Sequence, residues 1–394
     1  MTDTTLTPNQ NQGASNSDAP NAVAASAVSE PVVVKSSPIS VTSAEEEMID
    51  IEDVLNLAIE KSASDIHLAE NSPIALRVNG EIHFIDSIPK LSKKQAEHLI
   101  LEQLMENNKV AIEDFIKNRE ADFAYECKKD GTPFRCNGFF KRNCISAVLR
   151  RIERNAKTID ELGLPEAVYK FTSAKQGLVL VTGPTGSGKS TTMCALLEEI
   201  NRSRVEHILT IEDPIELIFQ PKKSIFSQRE LHHDTLSFPS ALRASLREDP
   251  DVVMIGELRD AETTTAALNL SETGHLVFST LHTSGASQTI SRILSSFPPS
   301  MQVQVRARLA DSLLGVLSQR LVPKIAGGRI GIFELIIMNG ALRNIVRSGE
   351  MSQMDNAIQT GSGAGMISMQ RYAYLLVREG IIAEENIKHF FEEE

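Results

Sequence analysis

The sequence predicts an α/β protein with a parallel-sheet domain in the second half of the chain, a smaller α+β domain before it and a disordered N-terminal tail. Residues 63–151 contain short alternating stretches, which are typical of a small mixed sheet. The first 44 residues lack aromatic side chains and carry too little apolar surface to offset the entropy of ordering. The parallel sheet is predicted by four short apolar runs separated by helix-length segments, at 178–182, 207–211, 251–255 and 275–279.

The chain divides into four predicted segments. A disordered tail covers residues 1–45, the α+β domain residues 46–155, a polar linker residues 156–165 and the parallel-sheet domain residues 166–394. The linker prediction depends on Gly163-Leu164-Pro165, because glycine and proline interrupt regular structure. Beyond about Ser300 we expect mainly helices, with the stretch 354–374 broken by glycines at 361, 363 and 365.

The α+β domain is predicted to begin near Glu46 with a helix. Apolar residues at 51, 54, 55, 58 and 59 have the i, i+3, i+4, i+7, i+8 spacing of one helix face. The alternating stretches 74–78 and 82–85, joined by Asn79-Gly80, predict a hairpin. We expect a second helix at 91–105, and strands at 134–140 and 146–149 that share one small sheet with the hairpin.

Composition restricts the class of protein. Hydrophobic residues make up 41% of the chain and charged residues 23%, which is ordinary for a soluble globular protein. No apolar run approaches the ~18 residues that span a bilayer, and no basic stretch followed by an apolar block resembles an export signal, so we expect a cytoplasmic protein. The formal net charge of −12, half of it from seven acids and one base in the first fifty residues, argues against a nucleic-acid partner.

A Walker A segment follows the first apolar run and precedes a helical pattern. This context matters because the motif cradles phosphate where a strand leads into a helix. Its glycines let successive backbone N–H groups face phosphate oxygens, and the helix N-terminus adds partial positive charge. We therefore predict that ATP binds at Gly183, Pro184, Thr185, Gly186, Ser187, Gly188, Lys189, Ser190 and Thr191.

Two residues of this segment have separate predicted roles. Lys189 reaches the β and γ phosphates, and the Ser190 hydroxyl ligates Mg²⁺. Hydrolysis also needs carboxylates that orient water and hold the hydration shell of the metal. Glu257, in the Walker B position, follows the run 251–256 and is a candidate for this role.

A second group of acids, Glu212, Asp213 and Glu216, follows the run 207–211. We predict Glu212 and Asp213 as further metal ligands, directly or through water. Either group of acids could instead consist of exposed charges at strand ends, but beside a P-loop we favour the functional interpretation.

Two histidines, His275 and His282, flank the fourth apolar run. They could sense the γ-phosphate or pair with the acids. The alternative is that each is a packed structural histidine.

Taken together, these motifs resemble the secretion-superfamily ATPases, and most closely the PilT family of type IV pilus retraction motors. The resemblance covers about Asp50 to Glu384, and Gln228-Arg229-Glu230 and the stretch 64–68 also look like family segments. It depends on four boxes, which are the Walker A segment 183–191, the aspartate box 210–216, the Walker B segment 247–260 and the histidine box 272–283.

The resemblance implies a RecA-like P-loop NTPase domain preceded by a PAS-like domain, with nucleotide between them, in a homohexameric ring. It implies that Glu257 is the catalytic carboxylate, that Glu216 acts at the metal and water, and that His275 and His282 contribute to the site. Its cofactors would be ATP and Mg²⁺.

The same resemblance implies that arginines of the N-terminal domain approach the phosphates. Arg135 and Arg150 match best, with Arg142 behind them. A planar cation there would neutralise transition-state charge. The alternative is that these arginines lie at the surface of a solvated strand.

The family's biology sets further expectations. The motor would work at the cytoplasmic face of the inner membrane, docked on the pilus platform protein, acting on pilin indirectly and alongside a paralogous retraction ATPase. Extension and secretion relatives commonly carry a four-cysteine zinc site. The cysteines here are Cys127, Cys136, Cys144 and Cys194, with no CxxC pair, so we expect no zinc and favour retraction.

The segment 341–347 resembles the C-terminal signature of the retraction family, although Ser348 stands where the family usually has an acid. Two alternatives stay open. One is a type II secretion or pilus-extension ATPase, and the other is an ATP-binding accessory subunit with little turnover.

Overall fold

The computed structural model describes residues 33–34, 48–78, 80–88, 90–106, 108–152, 154–388 and 390–391. The chain forms two compact units, Met1–Phe123 with Asn137–Leu149, and Ala124–Cys136 with Arg150–Glu394. This division differs from the predicted boundary at residue 155. Apart from Val33–Val34, the predicted disordered tail lies outside the described residues. None of the helices in the described ranges is long and apolar enough to cross a membrane.

The first sheet has the strand order β1-β4-β3-β2-β7-β6-β5. Strands β3 and β4 are antiparallel with Val78 opposite Glu81, and Gly80 between them has φ +91°. The predicted hairpin is therefore confirmed, and it shares a sheet with β6 and β7 as expected. The strands are β1 (Val33–Val34), β2 (Asp65–Ala69), β3 (Ala75–Val78), β4 (Glu81–Ile85), β5 (Glu120–Glu126), β6 (Pro133–Lys141) and β7 (Cys144–Arg151).

The helices that accompany this sheet are α1 (Ile51–Glu60), α2 (Lys93–Glu97), a π-helix (His98–Leu104) and α3 (Lys109–Asn118). Helix α1 buries four of the five residues of the predicted apolar stripe and half-buries Ile59, and Asp50 caps the helix by accepting the N–H of Glu52. Helix α3 was not predicted. Its apolar residues do not form one stripe, since Val110 and Ile116 are exposed while Phe115 is buried.

The second sheet has the order β10-β9-β11-β12-β8-β13-β14, and all its pairs are parallel except β13–β14. Every residue of β8, β11 and β12 is buried, as the apolar runs predicted. The carboxyl ends of the parallel strands therefore share one edge. The strands are β8 (Gly177–Thr182), β9 (His207–Glu212), β10 (Ile225–Glu230), β11 (Val252–Ile255), β12 (Leu276–Leu281), β13 (Leu313–Pro323) and β14 (Arg329–Ile337).

Two apolar cores cover the faces of this sheet. Alternate residues of a strand enter different cores, because strand side chains point to opposite faces. Leu180 belongs to one core and Val179 to the other.

The α-helices of the second unit are α4 (Tyr169–Thr172), α5 (Lys189–Ser203), α6 (Phe238–Ser245), α7 (Ala261–Glu272), α8 (Ala286–Ser295), α9 (Pro299–Ser312), α10 (Gly340–Ser348), α11 (Met354–Thr360), α12 (Met369–Arg378) and α13 (Glu385–Lys388).

The prediction of a mainly helical region beyond Ser300 was wrong for residues 313–337. Helix α9 continues directly into β13, which pairs with β14 as a long antiparallel hairpin. The turn contains Gly327 and Gly328, both at positive φ. Tertiary packing decides this structure, because β13 inserts its apolar residues beside β8. The predicted interruption at the glycine cluster is present, since α11 ends at Thr360 and α12 begins at Met369.

The predicted linker 156–165 packs on the second unit. Ile159 and Leu164 are buried in one of its cores. Thr158 donates from both its backbone N–H and its hydroxyl to Glu161 Oε2, at 2.7 and 3.0 Å. The predicted linker is therefore a short polar turn, closed by hydrogen bonds and held on the second unit by the buried side chains of Ile159 and Leu164.

Candidate functional site

The predicted phosphate loop connects β8 to α5 at the carboxyl edge of the sheet. Gly183, Gly186 and Gly188 have φ of +150°, +75° and +88°, a region that L side chains rarely adopt. Gly188 stands at the N-cap of α5 and has no side chain to cap it. The first N–H groups of this 15-residue helix are thus left for an anionic ligand.

Strand β13 forms the wall behind this loop. Ser318 Oγ lies 2.8 Å from Thr182 Oγ1, and the buried Gln319 donates from Nε2 to the carbonyl oxygen of Ser187 at 2.7 Å. A Cβ at Gly183 would lie 2.5 Å from Ser187 Oγ and closer still to the carbonyl oxygen of Gln319. The loop conformation therefore depends on a strand that lies more than a hundred residues further along the chain.

We predict that Gly183→Ala weakens nucleotide binding. The added methyl group forces a backbone shift that costs about 1–3 kcal/mol. With half of that cost expressed in the bound state, the affinity falls by about two- to tenfold. Titration with a fluorescent ADP measures the Kd. Gly340→Ala is the control, because an added Cβ there meets nothing within 4 Å. Unchanged affinity in Gly183→Ala would show that the wall does not shape the loop.

Lys189 is the buried cation of the loop. Its Nζ donates to the carbonyl oxygens of Gly183 and Pro184, at 2.9 and 3.0 Å. Burial lowers the pKa of Lys189, and the negative charges of Glu257 and Glu216 act in the opposite direction. The ammonium is therefore held at the loop by neutral carbonyl groups, for which phosphate oxygens are stronger substitutes.

Glu257 follows β11 at the same edge. Arg259 donates to Glu257 Oε1 and also lies 3.3 Å from Asp213 Oδ2. His282 Nε2 lies 3.7 Å from Glu257 Oε2, and Thr185 Oγ1 lies 3.5 Å from His282 Nδ1. The structure thus brings together the Walker B acid, the aspartate box, the histidine box and the phosphate loop.

Glu212 lies at the floor of the site, 5% exposed. Burial raises its pKa to about 7, although hydrogen bonds from Thr210, Gln228 and the backbone N–H of Glu216 act in the opposite direction. Thr210 Oγ1 donates to Glu212 Oε1 at 2.6 Å. Because protein donors already engage this carboxylate, it is less available to a metal than the sequence suggested.

These groups line a cleft of about 410 Å³ within the second unit. The predicted Gly183, Pro184 and Ser187 belong to the loop but do not line the cleft. The predicted residues that do line it are Thr185, Gly186, Gly188, Lys189, Ser190, Thr191, Glu212, Asp213, Glu216, Glu257 and His282.

The metal ligand set Ser190, Glu212 and Asp213 stays a prediction. In the ranges that the structure describes, no group of three or more His, Cys, Asp or Glu side chains could hold a metal ion. Mg²⁺ typically takes one or two protein ligands and completes its octahedron with water and phosphate oxygens. Ser190 lines the cleft at the start of α5, which fits that mode of binding.

The cleft does not include His275, which precedes β12 whereas His282 follows it. The strand separates the two histidines by roughly 20 Å. His275 Nδ1 donates to the carbonyl oxygen of Leu270 at 3.0 Å. The sequence already indicated that the two histidines lie far apart, because a residue that precedes a parallel strand lies at the opposite edge of the sheet from a residue that follows it.

The predicted arginines also do not line this cleft. Arg135 lies on β6, Arg150 on β7, and Arg142 in the turn between these strands with φ +53°. Their roles stay predictions.

Eight residues that line the cleft were not predicted as site residues, namely Met193, Pro214, Phe238, Met254, Gly256, Thr280, Leu321 and Arg329. Arg259 lies within the predicted Walker B segment, but the sequence did not predict a role for it. Gln319 could have been noticed as a polar residue inside an apolar run, which often marks a buried hydrogen bond.

Comparison with known proteins places the chain among secretion and pilus ATPases. Residues 42–388 match the family model of type II/IV secretion system proteins. The chain is 43% identical over 340 residues to the type IV pilus retraction ATPase PilT of Pseudomonas aeruginosa, covering 86% of this chain and 97% of that protein. It is 42% identical over 328 residues to a twitching motility protein of Neisseria gonorrhoeae, covering 83% and 86%.

A solved structure has the same architecture. The crystal structure of the pilus retraction motor PilT with bound ADP aligns with a TM-score of 0.80 at 43% identity, covering 86% of this chain and 96% of that one. This similarity confirms the predicted fold class.

Proposed function

Because the chain belongs to the type II/IV secretion system protein family and is an ATPase of its PilT branch, we propose that it is a hexameric motor for type IV pilus retraction. The observation that carries the proposal is the convergence of Lys189, Glu216 and Glu257 on one cleft at the carboxyl edge of the second sheet. These groups must lie within one site if they are to bind the phosphates and activate the attacking water.

The chemistry assigns one step to each group. Lys189 exchanges the carbonyl oxygens of Gly183 and Pro184 for the β and γ phosphates. Ser190 would hold Mg²⁺, and the bound ion would supply positive charge that neutralises the charge developing on the phosphates. Glu257 accepts a proton from the attacking water, and His282 beside it orients that carboxylate. Glu216 orients the water or the hydration shell of the metal.

The remaining groups belong to the assembled motor. Following the family resemblance, we assign Arg135, Arg150 and His275 to the completion of the site in the hexamer. None of them lines the cleft within one chain. A ring of this kind would dock on the platform protein of the pilus machine at the inner membrane and act on pilin through it.

Two features favour retraction over extension. The chain has no cysteine after Cys194, so it lacks the residues for the zinc site that extension and secretion relatives commonly carry. In the C-terminal signature, Arg343 donates to the carbonyl oxygens of Ala310 and Asp311 at the end of α9. Ser348, which stands in place of the usual acid, donates from Oγ to the carbonyl oxygen of Ile345 at 3.1 Å, in the last turn of α10, whose C-cap is Gly349.

Deletion of the gene tests the proposal. A strain without a retraction motor is expected to become hyperpiliated and to stop twitching, because extension continues unopposed. Complementation with the wild-type chain restores twitching, whereas complementation with Glu257→Gln does not. A deletion strain that loses its surface pili would instead identify an extension or secretion ATPase. Steady-state phosphate release by purified hexamers, if absent in the wild type, would identify an accessory subunit.

A further inference from the structure

The segment Gln228-Arg229-Glu230 on β10 has no role in the chemistry described above. Strand β10 lies at the edge of the second sheet, beside β9, with Gln228 opposite Thr210 and Glu230 opposite Glu212. Side chains of a strand alternate between its faces. Gln228 and Glu230 therefore share one face, while Arg229 points to the other, where it donates to Glu248 Oε1 at 2.7 Å.

Gln228 connects the edge strand to the segment Asp213–Phe219, which we call the aspartate-box loop. Its Nε2 donates to the carbonyl oxygen of Leu217 at 2.8 Å and to Glu212 Oε1 at 3.2 Å. Its Oε1 accepts the backbone N–H of Phe219 at 2.9 Å. One side chain thus satisfies two backbone groups of the loop and one buried carboxylate.

Glu230 holds the other end of the loop. Its Oε2 accepts the backbone N–H of Ile215 at 3.0 Å. Phe226, two residues before Gln228, stacks on Phe219 with ring centroids 4.3 Å apart. The loop is therefore fixed at residues 215, 217 and 219, on both sides of Glu216.

No side-chain contact holds Glu216 in place. Among the described residues the Glu216 side chain makes no hydrogen bond or ion pair, and it is exposed in the cleft. Its backbone N–H is bonded to the Glu212 carboxylate, which is itself held by Gln228. The position of the Glu216 carboxylate is consequently set by the backbone, and the backbone is set by β10.

We propose that Gln228 and Glu230 are positioning residues for ATP hydrolysis, which hold the aspartate-box loop so that Glu216 faces the phosphate loop. They act through Glu216 and touch no part of the P-loop. This inference rests on the ATPase activity and is independent of whether that activity drives retraction.

The test compares Gln228→Ala with Gln220→Ala in the full-length hexamer. Gln228→Ala is expected to lower kcat by about 10- to 100-fold, since a displacement of roughly 1 Å at a catalytic group costs about that much. The Kd for fluorescent ADP is expected to stay within about twofold of the wild type, because the P-loop is untouched. Gln220 is exposed directly after this loop, so Gln220→Ala removes the same atoms and should leave kcat unchanged.

Two further variants separate hydrogen bonding from folding. Gln228→Glu keeps the acceptor for Phe219 but cannot donate to Leu217 or to Glu212, so its kcat should fall as far as that of the alanine variant. Glu230→Gln retains an acceptor for the N–H of Ile215 and should keep most of the wild-type kcat, whereas Glu230→Ala should not.

Several outcomes would overturn the proposal. Equal kcat in Gln228→Ala and Gln220→Ala is one, and a rise in the ADP Kd that matches the fall in kcat is another. If Gln228→Ala melts below the assay temperature, the Glu230 pair decides, and equal kcat in Glu230→Ala and Glu230→Gln overturns it. Absence of turnover in the wild type, measured in parallel, would instead contradict the ATPase assignment itself.

Discussion

Glu257→Gln is expected to reduce kcat by about 10²–10⁴-fold, the usual contribution of a positioned general base, while Mg-ATP still binds. The amide has nearly the shape of the carboxylate but cannot accept a proton from water. Glu257 is also the group on which Arg259 and His282 converge. Single-turnover phosphate release measures the chemical step, and titration with fluorescent ADP measures binding.

The matched control for this variant is Glu262→Gln. Glu262 lies on α7 with its side chain 66% exposed and pairs with Arg243 at 3.0 Å. An exposed pair of this kind contributes about 0–1 kcal/mol, so the control should keep wild-type turnover. If Glu257→Gln hydrolysed ATP as fast as Glu262→Gln, another group would have to be the base.

Lys189→Ala is expected to weaken Mg-ATP binding by roughly 10- to 100-fold, because hydrogen bonds to a charged group contribute about 1.5–3 kcal/mol each. In the present structure its ammonium is held by two loop carbonyl groups, which it can exchange for phosphate oxygens. Isothermal titration of the purified hexamer measures the affinity.

Lys175→Ala serves as the control for Lys189→Ala. Lys175 is an exposed residue that precedes β8, so its substitution removes the same charge from the same unit. Its affinity should equal that of the wild type. Identical affinity in Lys189→Ala and Lys175→Ala would mean that nucleotide binds away from the phosphate loop.

The two variants address different steps, so their signatures should differ. Glu257→Gln changes kcat with little change in Kd, whereas Lys189→Ala changes Kd first. Equal loss of binding in both would contradict the division of roles between them.

Local sequence patterns predicted those helices and strands whose buried residues follow a regular spacing or form a continuous apolar run. The apolar stripe of α1, the hairpin β3–β4 and the four strands β8, β9, β11 and β12 were all recognisable, because periodicity and apolar runs report burial directly. Strand β10 was missed because its residues are only half-buried at the sheet edge. Hairpin β13–β14 was missed because its length and mixed composition do not distinguish a strand from a helix.

The candidate site shows the same limit. The phosphate loop and the acids after β9 and β11 were predicted by position, since strand ends in a parallel sheet meet at one edge. Gln319 and Gln228 were not assigned roles. Each acts through hydrogen bonds to backbone groups of another segment, and a sequence pattern carries no record of such a partner.

By itself, the sequence determined that this chain binds nucleotide through a strand–loop–helix unit with acids at neighbouring strand ends, because those features are local and periodic. Only the tertiary structure decided that β13 shapes the phosphate loop and that β10 holds the aspartate box. Strand order and hydrogen bonds between distant segments arise from packing in three dimensions, which no single stretch of the chain specifies.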